Sequence, residues 1–385
     1  MNAHVKELLD SILVTHAPCG RETETEEWVL THFNRLCDEV YRDPHDNIVG
    51  KIEGQSSQDG ILLLAHKDEI STMVRDIDED GKLWLEPLGG TVPWRYGEGP
   101  YDILGQEWIT GILSVGSTHS SHRSARVHKA KMEKPLDWEM CYVDCKLNAE
   151  ELAAKGVRVG SLGCISRLRK SPVYLQDRFV AGYALDDKAG LVSLMLALEE
   201  LHESSRKPLV DVYVAATSSE EVGISGGAYV TRALTAEHTI NTVIAVDVAP
   251  VVEEYPTKLD ERPVILMKDA GFIYHPGLTQ ELLDTCDRLK LGHQETTVRS
   301  YGSDTSITVK YGLIGRWACV GIPTENTHGC EVAPVGAIEN VGKLLGGFAL
   351  GEVRTTAAAE GEGATERKPR SRSRRWHPRK KQSAS

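Results

Sequence analysis

The chain has 385 residues, long enough for two to three domains and a large buried core, and its 35 glycines imply many turns. It holds no apolar run of about 18 residues, which excludes a membrane-spanning helix. The net charge of −12 is uneven: residues 352–385 carry ten Lys or Arg and four Glu, which leaves −18 on the remainder and argues against nucleic-acid binding by the folded body.

Taken in chain order, the opening stretch MNAHVKELLDSILVTHAPCG carries charges among its apolar positions, which predicts no secretory leader. Residues 5–14 and 23–40 space their apolar side chains as amphipathic helices, with Trp28, Val29, Phe33, Leu36, Cys37 and Val40 on one face. Short apolar strands follow at 47–53 and 61–65. From about 72 to 168 the chain turns glycine-rich, with short apolar runs such as WITGILSV and MCYVDCKL and one helical piece, NAEELAAKG. Next come VAGYAL and DDKAGLVSLMLALEELHESSR, whose apolar residues recur at helical spacing behind an Asp cap. Strand-like runs recur at LVDVYVAATS, NTVIAVDVA, PVILMKD and RWACVGIP, and an apolar helix closes the body at 335–350.

Strands alternating with helices predict an α/β fold: a mixed, mostly parallel sheet flanked by helices. Its body would comprise 1–71 and 169–350, interrupted by a small β-rich inserted domain at 72–168. Residues 351–385 are rich in Ser, Pro and Arg and predict a disordered basic tail. Of eight scattered cysteines only Cys141 and Cys145 lie close together, so reduced thiols in a cytoplasmic protein are expected.

The strand ILLLAH runs straight into His66, Lys67, Asp68 and Glu69. VDVYVAATSSEEVG ends in Glu220 and Glu221, and TVIAVDVAP carries Asp247 near its end. VAGYALDDKAG presents Asp186 and Asp187 at a helix start, and GIPTENTHGCEV leaves a strand and reaches His328. Ligands gather at the carboxyl ends of strands in open α/β sheets, so five such ends should bring two histidines and several carboxylates to one crevice. Crowded carboxylates resist ionisation, and a divalent cation removes that cost. Imidazole with carboxylate suits Zn²⁺, with Co²⁺ or Mn²⁺ as substitutes. One carboxylate shared between two ions would make a two-metal hydrolytic site. Each piece alone has a plainer explanation, since paired acids at a helix start are commonly caps. Their joint occurrence points to metal.

AHKDEIS, ALDDKAG, SSEEVGISGGAY, AVDVAP, YGSDTSI and IPTENTHGCEV together resemble the motif set of the M42 aminopeptidases, the group that includes the tetrahedral (TET) and glutamyl aminopeptidases. VDCKLNAEELAAKGVRVGS resembles the segment that this family carries before its second half, and the resemblance spans roughly residues 1–350. It implies a zinc-peptidase fold and a metallo-aminopeptidase acting on peptide substrates. It also implies a dimer-based homo-oligomer, with a dodecamer as a larger form and the insert as its dimerisation and assembly domain. Two divalent metal ions per chain are implied, with Asp186 bridging them, His66 and Asp247 completing one and Glu221 and His328 the other. Glu220 would be the general base toward a water between the ions, and Asp68 would hydrogen-bond the back of His66. The chain departs from the family pattern at Ser71 and Lys188. It departs again at Glu325, Asn326 and Thr327, where an Arg-Tyr pair usually precedes the last histidine. None of these removes a ligand, and the last alters the wall near the substrate.

Other classes fit less well. A related di-zinc hydrolase, such as an M20-type peptidase or an amide deacylase, would place its large insertion after the Glu-Glu pair, whereas here the long interval separates His66 from Asp186. A glycosidase works with two carboxylates and no metal, leaving the candidate ligands unexplained. A non-catalytic metal-binding scaffold would account for the basic tail but not for Glu220.

Overall fold

The computed structural model describes residues 2–351 except 120, 122, 124–126, 130–134, 238 and 239, so the expected disordered tail lies outside the described residues. In chain order the strands are β1 (Glu39–Arg42), β2 (Ile48–Ile52), β3 (Gly60–His66), β4 (Ser71–Ile77), β5 (Lys82–Leu88), β6 (Gly99–Leu104), β7 (Trp108–Ser114), β8 (Tyr142–Asp144) and β9 (Leu162–Ile165). They continue as β10 (Val173–Leu175), β11 (Phe179–Gly182), β12 (Val212–Thr217), β13 (Ile240–Pro250), β14 (Val264–Lys268), β15 (Gln294–Thr297), β16 (Arg316–Thr324) and β17 (Glu331–Pro334).

Eight of them form the main sheet, in the order β1-β2-β12-β3-β13-β16-β14-β15. Its central four, β12, β3, β13 and β16, are mutually parallel, and antiparallel pairs flank them. All seven residues of β3 are buried. A strand covered on both faces needs a continuous apolar run rather than an alternating one, and GILLLAH supplies it. On one face, helix Leu185–Glu203 packs against helix Val335–Ala349. They approach closely at Gly342, where a Cβ would lie 2.7 Å from the Leu196 Cβ and 3.0 Å from the Ser193 carbonyl oxygen. Leu194, Leu198, Val341 and Leu345 are fully buried in that layer, each contributing roughly 1.5–3 kcal/mol of apolar burial.

Between the two halves of this body, Ser71 to Ile165 closes into a six-stranded antiparallel barrel, β4-β5-β8-β7-β6-β9. Val74, Leu85, Tyr101, Ile103 and Val143 fill its own core. Trp94, in the connection between β5 and β6, points out of the barrel and is 60% exposed. Trp108 turns the other way, donating to Glu24 at 3.1 Å and lying 4.4 Å from the His16 ring, so it joins barrel to body.

Two local expectations need revision, and one strand has no counterpart in the sequence reading. The second helix ends at Leu36, because Cys37 turns extended and Glu39–Arg42 pairs with Ile48–Lys51. The Asp43 carboxylate closes that hairpin by accepting from the His45 and Asn47 backbone N–H groups, a turn chemistry that overrides the helical period. The polar strand β15 carries no apolar signal. Lastly, β11 lies in a separate three-stranded sheet with β10 and β17, so four strand ends of the main sheet reach the crevice rather than five. Among the described residues no helix is long and apolar enough to cross a membrane.

Candidate active site

The parallel strands deliver their chemistry at adjacent carboxyl ends. His66 is the last residue of β3, Glu220 and Glu221 follow β12, Asp247 lies in β13, and His328 sits in the loop after β16. Asp186 arrives from the side sheet. Ala184 is left-handed (φ 59°), and both Asp186 and Asp187 have non-helical φ/ψ ahead of the regular helix turns.

All the expected metal-ligating residues except His66 line one cleft of 400 Å³, together with Glu220, Ser300 and Tyr301. His66 is buried behind that lining, and its Nε2 lies 3.0 Å from Asp186 Oδ1. His328 Nε2 lies 3.5 Å from Asp186 Oδ2 and 3.6 Å from Glu221 Oε2. Asp186 therefore stands between the two imidazoles. Donor atoms of His66, Asp186 and Glu221 all fall within 4.8 Å of one another. A larger groove of 780 Å³ opens from Asp186 and His328 past Trp94, Tyr255, Glu254 and Glu325.

Several buried acids hold this arrangement. His66 Nδ1 donates to the Asp68 backbone carbonyl at 3.0 Å, closer than the Asp68 carboxylate at 3.5 Å. That carboxylate instead accepts from the Glu220 and Glu221 backbone N–H groups, at 3.0 and 3.1 Å. The contact expected from the Asp68 side chain to the back of His66 is thus made more closely by its main chain, which leaves the carboxylate to fix the turn after β12. Asp187 accepts from the His66 and Gly190 backbone. Glu331, which sequence reasoning gave no role, accepts from His328 N at 2.9 Å and from Asp186 N at 3.1 Å. Its only sequence signal was its place in the GCEV motif.

Charge makes the chemistry plain. Burial, with neighbouring carboxylates, pushes Glu220 and Asp247 well above the usual carboxylate range. Burial and Asp186 raise Glu221 and Glu331 to about 8. Burial alone would discharge His66, but Asp186 and Asp68 hold it well above its ordinary value. Against the same burial cost, Asp186 and Glu221 carry His328 to about 10. Protein charges alone thus leave Glu220, Glu221 and Asp247 neutral beside charged imidazoles, while bonds from His328 and His66 hold Asp186 below the usual carboxylate range despite its burial. A divalent cation would reverse both, since ligation needs ionised carboxylate and neutral imidazole. The donor set fits such an ion.

Residues 46–344 match the model of the family described as M42 glutamyl aminopeptidase. The chain belongs to the M42 family. Its members are metal-dependent aminopeptidases, and therefore hydrolases. The chain is 29% identical over 339 residues to a protein of Acetivibrio thermocellus, covering 85% of this chain and 92% of that one. It is 26% identical over 358 residues to the lysyl aminopeptidase of Pyrococcus furiosus, covering 88% and 94%. In fold it is similar to the TET1 peptidase of Pyrococcus horikoshii, which can assemble into a tetrahedron or a large octahedral shell. That likeness has a TM-score of 0.77 at 21% identity and covers 90% of this chain and 99% of that one.

This M42 chain holds a second donor group, His16, Glu69 and Cys164, but a cation of its own already occupies the middle. Lys170 Nζ donates to His16 Nδ1 at 2.9 Å, to Glu69 Oε1 at 2.5 Å and to the Thr15 carbonyl at 2.9 Å. Lys188 Nζ stands 3.7 Å from the other Glu69 oxygen. His16 Nε2 in turn bonds Asp102 of β6 at 3.0 Å. Burial, with the Lys170 ammonium beside it, keeps His16 below its ordinary value despite that bond. The cluster is a buried ionic joint between barrel and body.

Proposed function

We propose that the chain removes N-terminal residues from peptides at a centre of two divalent ions, with Zn²⁺ the best match and Co²⁺ or Mn²⁺ able to substitute. His66, Asp186, Glu221, Asp247 and His328 would hold the ions, with Asp186 shared between them. The observation that carries this reading is the position of Asp186 between both imidazoles, beside Glu221. Bound there, such ions polarise a carbonyl and acidify water.

The protein's own share is positioning and proton transfer. Glu220 is 9% exposed and lines the same cleft as Asp186 and Asp247. Its carboxylate is the candidate general base, taking a proton from the attacking water and returning it to the departing amine. Asp68 supports that role by gripping the backbone N–H of Glu220. The groove running from His328 past Trp94 and Tyr255 offers room for the peptide. For the barrel we infer self-association, a reading supported by the assemblies of the Pyrococcus horikoshii protein.

Two variants test the assignment of the Glu pair. Glu220→Gln keeps size and hydrogen bonding but removes the proton acceptor, so metal content should hold while turnover falls by roughly 10²–10⁴-fold. Glu221→Gln should instead be metal-poor and partly rescued by excess ion. Normal turnover in Glu220→Gln would refute its role as base, and exchanged phenotypes would invert the pair.

A further inference from the structure

The connection between β5 and β6 brings the barrel to the cleft at Gly90 and Arg95. His328 lies between β16 and β17 in a loop where Asn326 (φ 59°) and His328 (φ 62°) are both left-handed. Non-glycine residues rarely adopt that conformation without outside support. The His328 side chain is also 34% exposed, against 2% for His66, so packing alone does not fix its ring.

Support for the backbone comes from Glu331, which accepts from His328 N. Support for the ring comes from the barrel. The Gly90 carbonyl oxygen lies 3.3 Å from His328 Nδ1, and a Cβ on Gly90 would stand 2.5 Å from that nitrogen. The β5–β6 backbone therefore lies against the imidazole, and no larger residue fits there without moving it. Arg95 Nη2 donates to the Thr327 carbonyl, and Arg95 Nε lies 3.1 Å from the place of a Gly329 Cβ. The guanidinium also faces the Trp94 ring at 5.3 Å. Arg95 thus holds the loop by a hydrogen bond just before His328 and lies against it just after.

His66 shows what such a bond does. Its Nδ1 is tied to a carbonyl two residues along its own chain, which leaves Nε2 facing Asp186. A ligating imidazole usually donates its other N–H in this way, and losing that partner weakens metal binding about 10–100-fold. His328 finds the equivalent carbonyl on the barrel.

We propose that Arg95 and the Gly90 carbonyl position His328 for metal, so that the inserted barrel completes the metal centre. This rests on the reading of His328 as a ligand, and Arg95 acts through it as a positioning residue. The test compares Zn²⁺ affinity, by competition with a chromophoric chelator, and the visible spectrum of the Co²⁺-loaded full chain. The variants are Arg95→Ala, Arg95→Lys, Gly90→Ala, His328→Ala and the Arg95→Ala/His328→Ala double. Arg95→Ala should weaken binding of one ion by about 10–100-fold and shift the Co²⁺ bands, with Arg95→Lys recovering part of the loss. In the His328→Ala background Arg95→Ala should add nothing, because the group it positions is gone. Equal losses in both backgrounds, or no loss, would overturn the clamp, as would an unaltered Co²⁺ spectrum in Gly90→Ala. Wild-type affinity in His328→Ala alone would instead overturn the assignment of His328.

Discussion

Replacing Lys170 by Met should destabilise the chain by about 3–5 kcal/mol at neutral pH, the usual cost of breaking a buried ion pair from one side. The ammonium is fully buried and has three partners: the Thr15 carbonyl, His16 Nδ1 and Glu69 Oε1. Burial works against an ionised Glu69, yet Lys170 and Lys188 bring it down to about 2 from 4.5. A displacement of that size corresponds to roughly 3 kcal/mol of stability. Met keeps the stem's volume but offers no donor, so of its two ammonium partners Glu69 would retain Lys188 at 3.7 Å, beside the Ala17 backbone N–H that donates to Oε1 at 2.9 Å. That remaining ammonium places the expected loss in the lower half of the range. The folded value lies below the unfolded one, so the contribution of Glu69 is complete above about pH 4.5 and fades as pH falls toward 2. The gap between wild type and variant should shrink across that window. Urea unfolding followed by tryptophan fluorescence is the assay, and Trp108, beside His16, reports on the joint. A gap no larger than the roughly 0.5 kcal/mol of an ordinary surface substitution, or one unchanged in acid, would refute an ion-paired Glu69.

Chelation should abolish peptidase activity, with added Zn²⁺, Co²⁺ or Mn²⁺ restoring it and elemental analysis finding about two ions per chain. Their occupancy should fall as acid protonates the ligands, and a metal-free yet active protein would end the metallo-peptidase reading. Replacing residues 75–165 with a short linker should give smaller particles in light scattering, and an unchanged size would remove the barrel from assembly. Glu331→Gln leaves one acceptor for two backbone donors, His328 N and Asp186 N. It should cost about tenfold in metal affinity, and unaltered binding would mean that the loop and helix start hold themselves.

The family motifs were legible because their chemistry is local. A strand that ends in His66, an acid pair after β12 and Asp186 at a helix start each occupy a short stretch, and strand ends in α/β sheets have a known destination. The central strands were equally plain, since a strand buried on both faces leaves a continuous apolar run such as GILLLAH. Strand β15, reading QETT, had no such pattern, because the two residues it buries at the sheet edge, Gln294 and Thr296, are polar. The second helix was read too long for a related reason: residues 37–40 keep a helical period, but the hairpin that follows at once draws Glu39 and Val40 into pairing with Lys51 and Gly50.

What the sequence determined by itself was therefore the kind of donor and the strand that carries it. Tertiary structure decided which groups meet. Asp68 could be named as a partner of His66, but only the folded chain turns its carboxylate to the Glu220 and Glu221 backbone and leaves the bond to its carbonyl. Gly90 carries no signal for His328, 238 positions away, nor Arg95 for Thr327, 232 positions away. Nor does Lys170 announce that it sits between His16 and Glu69, 154 and 101 positions away. Such contacts join segments whose own propensities are satisfied without each other. Their geometry follows from how the barrel docks on the sheet, and that docking depends on many side chains at once.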